Sequence, residues 1–66
     1  MEITLNGETR QFDGPISIDG LIDVLGFAPE KIAIERNLEI VPRSEFATTM
    51  LSPGDKIEIV QFVGGG

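Results

Sequence analysis

The sequence contains neither cysteine nor histidine. Without thiols the chain forms no disulfide, and without thiols or imidazoles it lacks the ligands of the usual zinc sites. The common thiol and hydroxyl catalytic triads lose their base for the same reason. We therefore expect a carrier or binding protein rather than an enzyme. We expect it to have no catalytic residues, to bind no metal and no cofactor itself, and to be held together by packing alone.

Basic residues are scarce as well. Five lysines and arginines stand against eleven aspartates and glutamates, which gives a net charge of −6. Nucleic acids and anionic membranes are bound mainly through lysine and arginine, so this balance argues against both as partners. The charge suits either a basic protein partner or simple solubility. No apolar run approaches the roughly 20 residues of a membrane span, and the start lacks a signal-peptide pattern. We expect a cytoplasmic protein.

The two ends of the chain alternate apolar and polar residues, the pattern of half-buried strands. Residues 1–5 precede Asn6-Gly7, a strong hairpin signal because both central residues of a type I′ turn need positive φ. A second strand is expected from about Glu8 to Phe12. The longest strand is expected at residues 56–63, and we place it beside the first strand at the centre of a sheet.

The periodicity then changes to that of a helix. Apolar residues recur at i, i+3, i+4 and i+7 from Ile18 to Leu25. Ser17 is the expected N-cap of this helix. Gly26 stands where a helix commonly ends in a left-handed residue.

Short elements are expected in the rest of the chain. Residues 31–35 alternate, and residues 39–41 form a brief strand that Pro42 ends because proline lacks the donor that a ladder needs. Ser44 is expected to cap one helical turn at residues 44–47, and the composition of residues 52–55 predicts a reverse turn. One helix packed on one face of a small mixed sheet buries the apolar faces of the predicted helix and strands, so the predicted fold class is α+β.

The last strand runs directly into Gly64, Gly65 and Gly66. Glycine costs the most conformational entropy to order, so we expect a domain at residues 1–63 and a flexible tail at residues 64–66. The carboxylate of Gly66 has no side chain to hinder its conversion into an acyl-adenylate, which a sulfur nucleophile could attack. The alternative is a frayed end without a function.

Three apolar residues lie close to the start of this tail. Val60, Phe62 and Val63 leave apolar surface on a chain that is otherwise rich in acids. Such a surface beside a flexible end predicts a docking site for a partner. The alternative is that these side chains pack under the segment around Phe46 and Leu51.

Five segments also carry a resemblance through their order and spacing. They are 34–37 (Ile-Glu-Arg-Asn), 40–43 (Ile-Val-Pro-Arg), 54–55 (Gly-Asp), 59–60 (Ile-Val) and 62–66 (Phe-Val-Gly-Gly-Gly). Together they resemble the ThiS family, the ubiquitin-like sulfur carrier proteins of bacterial thiamine biosynthesis. The resemblance covers the whole chain and implies a ubiquitin-like β-grasp fold, in agreement with the order of elements.

The resemblance also implies a reaction cycle. A ThiF-type adenylyltransferase uses ATP and magnesium to adenylate Gly66, sulfur that a donor system takes from cysteine replaces AMP, and the resulting thiocarboxylate supplies thiazole synthase ThiG. Gly64 and Gly65 thread into the partner, although the family does not strictly need Gly64. A monomer that binds each partner in turn is expected.

Three alternatives remain at this stage. The first is a MoaD-type carrier of molybdopterin synthase, which shares the fold and the thiocarboxylate but is usually longer. The second is a ubiquitin-like modifier joined to target lysines through Gly66. The third is an interaction module with an incidental glycine tail.

Overall fold

The computed structural model describes residues 1–62. Within them lie five strands, one α-helix and two single 3₁₀ turns. The strands are β1 (Glu2–Leu5), β2 (Glu8–Gln11), β3 (Ile32–Arg36), β4 (Glu39–Ile40) and β5 (Lys56–Gln61); the helix is α1 (Ile18–Leu25), and the turns are Pro29–Lys31 and Arg43–Glu45. This is the predicted α+β arrangement of one main helix and a small sheet.

The sheet is mixed, with the order β2-β1-β5-β3-β4. β1 and β2 form an antiparallel hairpin, β5 runs parallel to β1, and β5 is antiparallel to β3. The last strand therefore lies at the centre of the sheet with the first strand beside it. This confirms the placement that the apolar content of the two strands predicted.

Both hairpins turn through pairs of left-handed residues. Asn6 and Gly7 have φ values of 48° and 82°, which confirms the predicted β1–β2 turn. The β3–β4 turn uses Asn37 at φ 51° and Leu38 at φ 71°. A leucine in this conformation brings its Cβ close to the following carbonyl oxygen, at a cost of about 1–2 kcal/mol. The sequence predicted a turn at Asn37 but not the strained leucine after it.

The helix begins and ends as its sequence predicts. The Ser17 hydroxyl accepts a hydrogen bond from the Gly20 amide at 3.0 Å, which satisfies one free N–H of the first turn. Gly26 ends the helix in the left-handed conformation, at φ 81°. The buried face consists of Ile18, Leu21 and Ile22.

The core lies between α1 and one face of the sheet. Alternate residues of β1, β3 and β5 point into it, as expected for strands covered on one side. Its buried members are Ile3, Leu5, Ile18, Leu21, Ile22, Ile32, Ile34, Phe46, Leu51, Ile57 and Ile59. The isoleucines of β3 and β5 thus all point toward α1.

Some predicted local features are wrong. The second 3₁₀ turn begins at Arg43, and no side chain caps it, because the cap position is occupied by Pro42, whose side chain has no hydrogen-bond acceptor. Ser44 lies inside this turn and is not its cap. β5 ends at Gln61, two residues before the predicted end, and the turn at Pro29–Lys31 was not predicted. The domain boundary predicted after Val63 lies outside the described residues and stays a prediction.

Candidate functional site

The end of β5 presents two apolar side chains to solvent. Ile57 and Ile59 point into the core, so the alternating Val60 and Phe62 point to the sheet face opposite α1. Their exposed fractions are 58% and 55%. For Val60 and Phe62 the predicted apolar surface is therefore present, and the alternative, packing under the segment around Phe46 and Leu51, is wrong; Val63 lies outside the described residues.

These side chains have a small apolar neighbour on the adjacent strand. Ala33 of β3 lies directly opposite Val60 in the antiparallel register, and it is half-buried. We call Val60, Phe62 and Ala33 the open-face patch. Two residues farther along the same face, Glu35 pairs with Glu58. The patch is thus bordered by carboxylates on the side away from the tail.

Main-chain hydrogen bonds hold β5 up to the last described residue. The Phe62 amide donates to the Lys31 carbonyl at 2.7 Å, which continues the β3–β5 ladder beyond the assigned strand. The point at which the chain continues into residues 63–66 is consequently fixed from the β3 side.

The other side of β5 is held by a side chain. The Asn6 amide donates through Nδ2 to the Ile59 carbonyl at 3.2 Å. Its Oδ1 accepts from the Ile59 amide at 2.7 Å. The sequence predicted Asn6 only as a turn residue. A carboxamide directly after a strand and before glycine is the only indication of this contact in the sequence.

The start of β5 carries a buried carboxylate. Asp55 is 6% exposed and accepts hydrogen bonds from Arg36 Nε at 2.8 Å, Asn37 Nδ2 at 3.1 Å and the Ser52 amide at 2.8 Å. Burial by itself raises the pKa of Asp55, but the Ser52, Arg36 and Asn37 hydrogen bonds outweigh it and hold this pKa below its ordinary value. Asn37 also accepts from the Lys56 amide through Oδ1 at 2.9 Å. This network fixes the β3–β4 turn to the first residue of β5.

The other predicted site residues fall beyond the described part of the chain. Val63, Gly64, Gly65 and Gly66 lie outside it, and their roles stay predictions. Among residues 1–62, no group of three or more histidine, cysteine, aspartate or glutamate side chains could hold a metal ion. No helix in these residues is long and apolar enough to cross a membrane.

Comparison with known proteins gives relatives over the whole chain. The chain is 47% identical to a thiazole synthase of Paramagnetospirillum magneticum and 46% identical to one of Magnetococcus marinus. It spans only 20% of the length of each of these curated relatives, with all 66 residues matched. It is also 39% identical to the ycf40 protein of Porphyra purpurea and covers 93% of it.

A solved structure shows the same fold. The crystal structure of the thiamine biosynthesis protein ThiS from Geobacter metallireducens matches with a TM-score of 0.85 at 33% identity, and the match covers 100% of both chains. This similarity confirms the ubiquitin-like β-grasp fold. The model of the ThiS family matches residues 3–66. Because that match takes in nearly the whole sequence, and the solved ThiS protein matches over the full length of both chains, the chain belongs to the ThiS family.

Proposed function

We propose that this protein is a sulfur carrier of thiamine biosynthesis and that the main-chain carboxylate of Gly66 carries the sulfur. The observation that supports this most directly is the extent of the family match, which runs through residue 66 and so includes all three glycines. The solved relative named as a thiamine biosynthesis protein supports the pathway. The relatives named thiazole synthase support it as well.

The proposed chemistry begins with a poor acyl donor. A terminal carboxylate has a reference pKa near 3.5 and is ionised at neutral pH. One of its oxygens attacks the α-phosphorus of ATP, pyrophosphate leaves, and a mixed anhydride with AMP forms at Gly66. A ThiF-type adenylyltransferase supplies the sites for ATP and magnesium, so the carrier itself binds neither.

The second step replaces oxygen by sulfur. Hydrosulfide-level sulfur, which a donor system supplies from cysteine, attacks the activated carbonyl carbon; the new C–S bond forms and AMP leaves. The product is a thiocarboxylate at Gly66. Thiazole synthase then accepts this sulfur for the thiazole ring. Gly64 and Gly65 give the tail the narrow backbone that fits into the active sites of both enzymes.

The folded domain provides the surface to which the partner enzymes bind. The open-face patch lies at the end of β5, beside the point where the tail begins. An exposed apolar patch at such a position suits an interface core with a polar rim. Both named enzymes are proposed to dock there in turn. Thiazole synthases that contain a region similar to this chain support an association with that enzyme.

Intact-mass spectrometry tests the chemistry. The protein is incubated with a ThiF-type adenylyltransferase, ATP, magnesium and a sulfur donor. We expect a form heavier by about 16 Da, because one oxygen is replaced by one sulfur at the C-terminus. The control variant lacks residues 65–66, whose removal leaves the whole described core in place. It should keep the native circular dichroism spectrum and gain no mass.

Other outcomes would favour other functions. High-mass conjugates joined through lysine would identify a ubiquitin-like modifier. A thiocarboxylate that is consumed by molybdopterin synthase, and not by thiazole synthase, would identify a MoaD-type carrier. The absence of any C-terminal modification under these conditions would refute the proposal and leave an interaction module.

A matched pair of valines tests the docking surface. Val60 on the sheet is 58% exposed, and Val24 on the helix is 66% exposed. Val60→Thr and Val24→Thr make the same change of one methyl group to a hydroxyl, and neither site is in the core. If the patch is the interface, Val60→Thr weakens binding to thiazole synthase about tenfold, because the hydroxyl is buried without a partner. Val24→Thr leaves binding unchanged. Equal affinities of the two variants would contradict the assignment.

A further inference from the structure

In each of the two hairpin turns, an asparagine side chain hydrogen-bonds to β5. Asn6 and Asn37 each occupy the first left-handed position of a turn, at φ 48° and 51°. Each directs its side-chain oxygen to an amide of β5. Asn37 accepts from Lys56 at the start of the strand, and Asn6 accepts from Ile59 near its end. The sheet thus has one asparagine contact at each end of its central strand.

The side chain of Asn6 continues the hydrogen bonding between β1 and β5 beyond the point where the main chain of β1 ends. The parallel register between β1 and β5 ends at Leu5↔Ile57. The main-chain N–H of Asn6 donates one further hydrogen bond to the Ile57 carbonyl at 2.9 Å. After that the chain turns away toward β2. A carboxamide has the donor and the acceptor of a peptide group. The Asn6 side chain therefore hydrogen-bonds to both the N–H and the carbonyl of Ile59, as the main chain of a longer β1 would.

The direction of the hydrogen bonds shows why Ile59 matters. Asp55, Ile57 and Ile59 turn their main-chain groups toward β1, whereas Phe62 donates to Lys31 on the β3 side. Among the described residues, Ile59 is the last point at which the first hairpin holds β5. Within the described part of the chain, residues 60–62 are hydrogen-bonded on the β3 side alone. The contact between Asn6 and Ile59 lies directly before this segment.

We propose that Asn6 is a positioning residue for the C-terminal tail: its two bonds to Ile59 fix the direction in which β5 delivers Gly66 to a docked enzyme. This inference rests on the proposed function. Phe62 lies three residues after Ile59, a span of about 10 Å of extended chain. A hinge of about 10° at Ile59 moves Phe62 by about 2 Å, and errors of that size lower the rate of a positioned reaction by an order of magnitude or more.

Two glycine substitutions isolate the side chain. Asn6→Gly and Asn37→Gly both keep a left-handed turn available, since glycine adopts positive φ without strain. Each removes a carboxamide that bonds β5, but at opposite ends of the strand. In Asn6→Gly the Ile59 amide exchanges with solvent about tenfold faster relative to the Glu58 amide, the size expected for one lost hydrogen bond. In Asn37→Gly the Lys56 amide shows this increase instead.

Kinetics separate positioning from stability. The measurement is ATP–pyrophosphate exchange by a ThiF-type adenylyltransferase at varied carrier concentration, below the unfolding temperature of both variants. Asn6→Gly should lower kcat about tenfold and change KM less than about twofold, because docking persists while fewer bound tails reach the nucleotide. Asn37→Gly should leave both constants within about twofold of the wild type.

A conservative variant provides a graded rescue. In Asn6→Asp the carboxylate still accepts from the Ile59 amide but cannot donate to the Ile59 carbonyl. Its kcat should lie between those of the wild type and Asn6→Gly. Equal kcat values for the two glycine variants, or an unchanged exchange rate at Ile59, would overturn the inference and leave the proposed function intact. A wild-type protein that supports no exchange reaction would overturn the proposed function, and this inference with it.

Discussion

The buried carboxylate at the start of β5 gives a sharp stability prediction. Asp55→Asn keeps the shape of the side chain and removes its charge. In the wild type, Oδ2 accepts from Arg36 Nε and the Ser52 amide, both at 2.8 Å, and Oδ1 accepts from Asn37 Nδ2 at 3.1 Å. A carboxamide has only one accepting oxygen, so its NH₂ group must face a donor.

The cost follows from these three bonds. If the amide oxygen keeps Arg36 and Ser52, both bonds lose their charge assistance, which weakens each by about 1 kcal/mol. The bond to Asn37 is lost and costs about 1 kcal/mol more. We therefore expect Asp55→Asn to lower the free energy of unfolding by about 3 kcal/mol. For a domain of this size, that is a fall in Tm of about 20 °C.

Urea denaturation followed by far-ultraviolet circular dichroism measures this cost. The chain has no tryptophan or tyrosine, so fluorescence is a poor probe. Asp23→Asn is the matched control, because it makes the same change at an exposed position. It should change the free energy of unfolding by less than about 0.5 kcal/mol. If Asp55→Asn is no more destabilising than Asp23→Asn, the role assigned to this network is wrong.

The same variant predicts the pH dependence. The folded-state pKa of Asp55 lies below the ordinary 3.8, so its contribution to stability is complete above pH 3.8 and is lost as the pH falls through the folded-state pKa. The difference in unfolding free energy between wild type and Asp55→Asn should therefore be constant near neutral pH and shrink below pH 3.8. A difference that grows on acidification would contradict the lowered pKa.

Two further substitutions test the strain and the core. Leu38→Gly should raise the free energy of unfolding by about 1 kcal/mol because it removes the Cβ from a residue at φ 71°, and Leu38→Ala, which keeps the Cβ, should not; urea denaturation decides between them. Ile57→Ala should lower the free energy of unfolding by about 3 kcal/mol because the side chain is 0% exposed, whereas Ile40→Ala at 73% exposure should have little effect. Similar midpoints for these two alanine variants in thermal unfolding would refute the assignment of Ile57 to the centre of the core.

Local chemistry explains which parts of the fold were predictable. Asn6-Gly7 specifies its hairpin because few other pairs accept two positive φ values. Ser17 and Gly26 mark the ends of α1 because caps act within one turn of the residues that they satisfy. The cap at Ser44 was predicted wrongly for a related reason. The turn begins one residue before Ser44, at Arg43, with Pro42 in the cap position, and this start depends on the path of the chain rather than on the composition of the turn.

The contacts around β5 were less predictable because they join distant segments. Asp55 meets Arg36 and Asn37 across 19 and 18 residues, and Asn6 meets Ile59 across 53. No local pattern encodes such pairs, and each residue also has an ordinary role in its own turn. The exposure of Val60 and Phe62, by contrast, follows from simple alternation once Ile57 and Ile59 are assigned to the core.

The place of β5 in the middle of the sheet has a consequence for biosynthesis. Residues 56–61 follow β1 and β3 along the chain, yet β1 and β3 are joined in the sheet only through them. A nascent chain therefore cannot close its core while this segment is still inside the ribosome, although domains often fold during translation. Products of premature termination lack the central strand and leave apolar surface open to proteases. Folding thus selects for chains translated at least as far as the base of the tail.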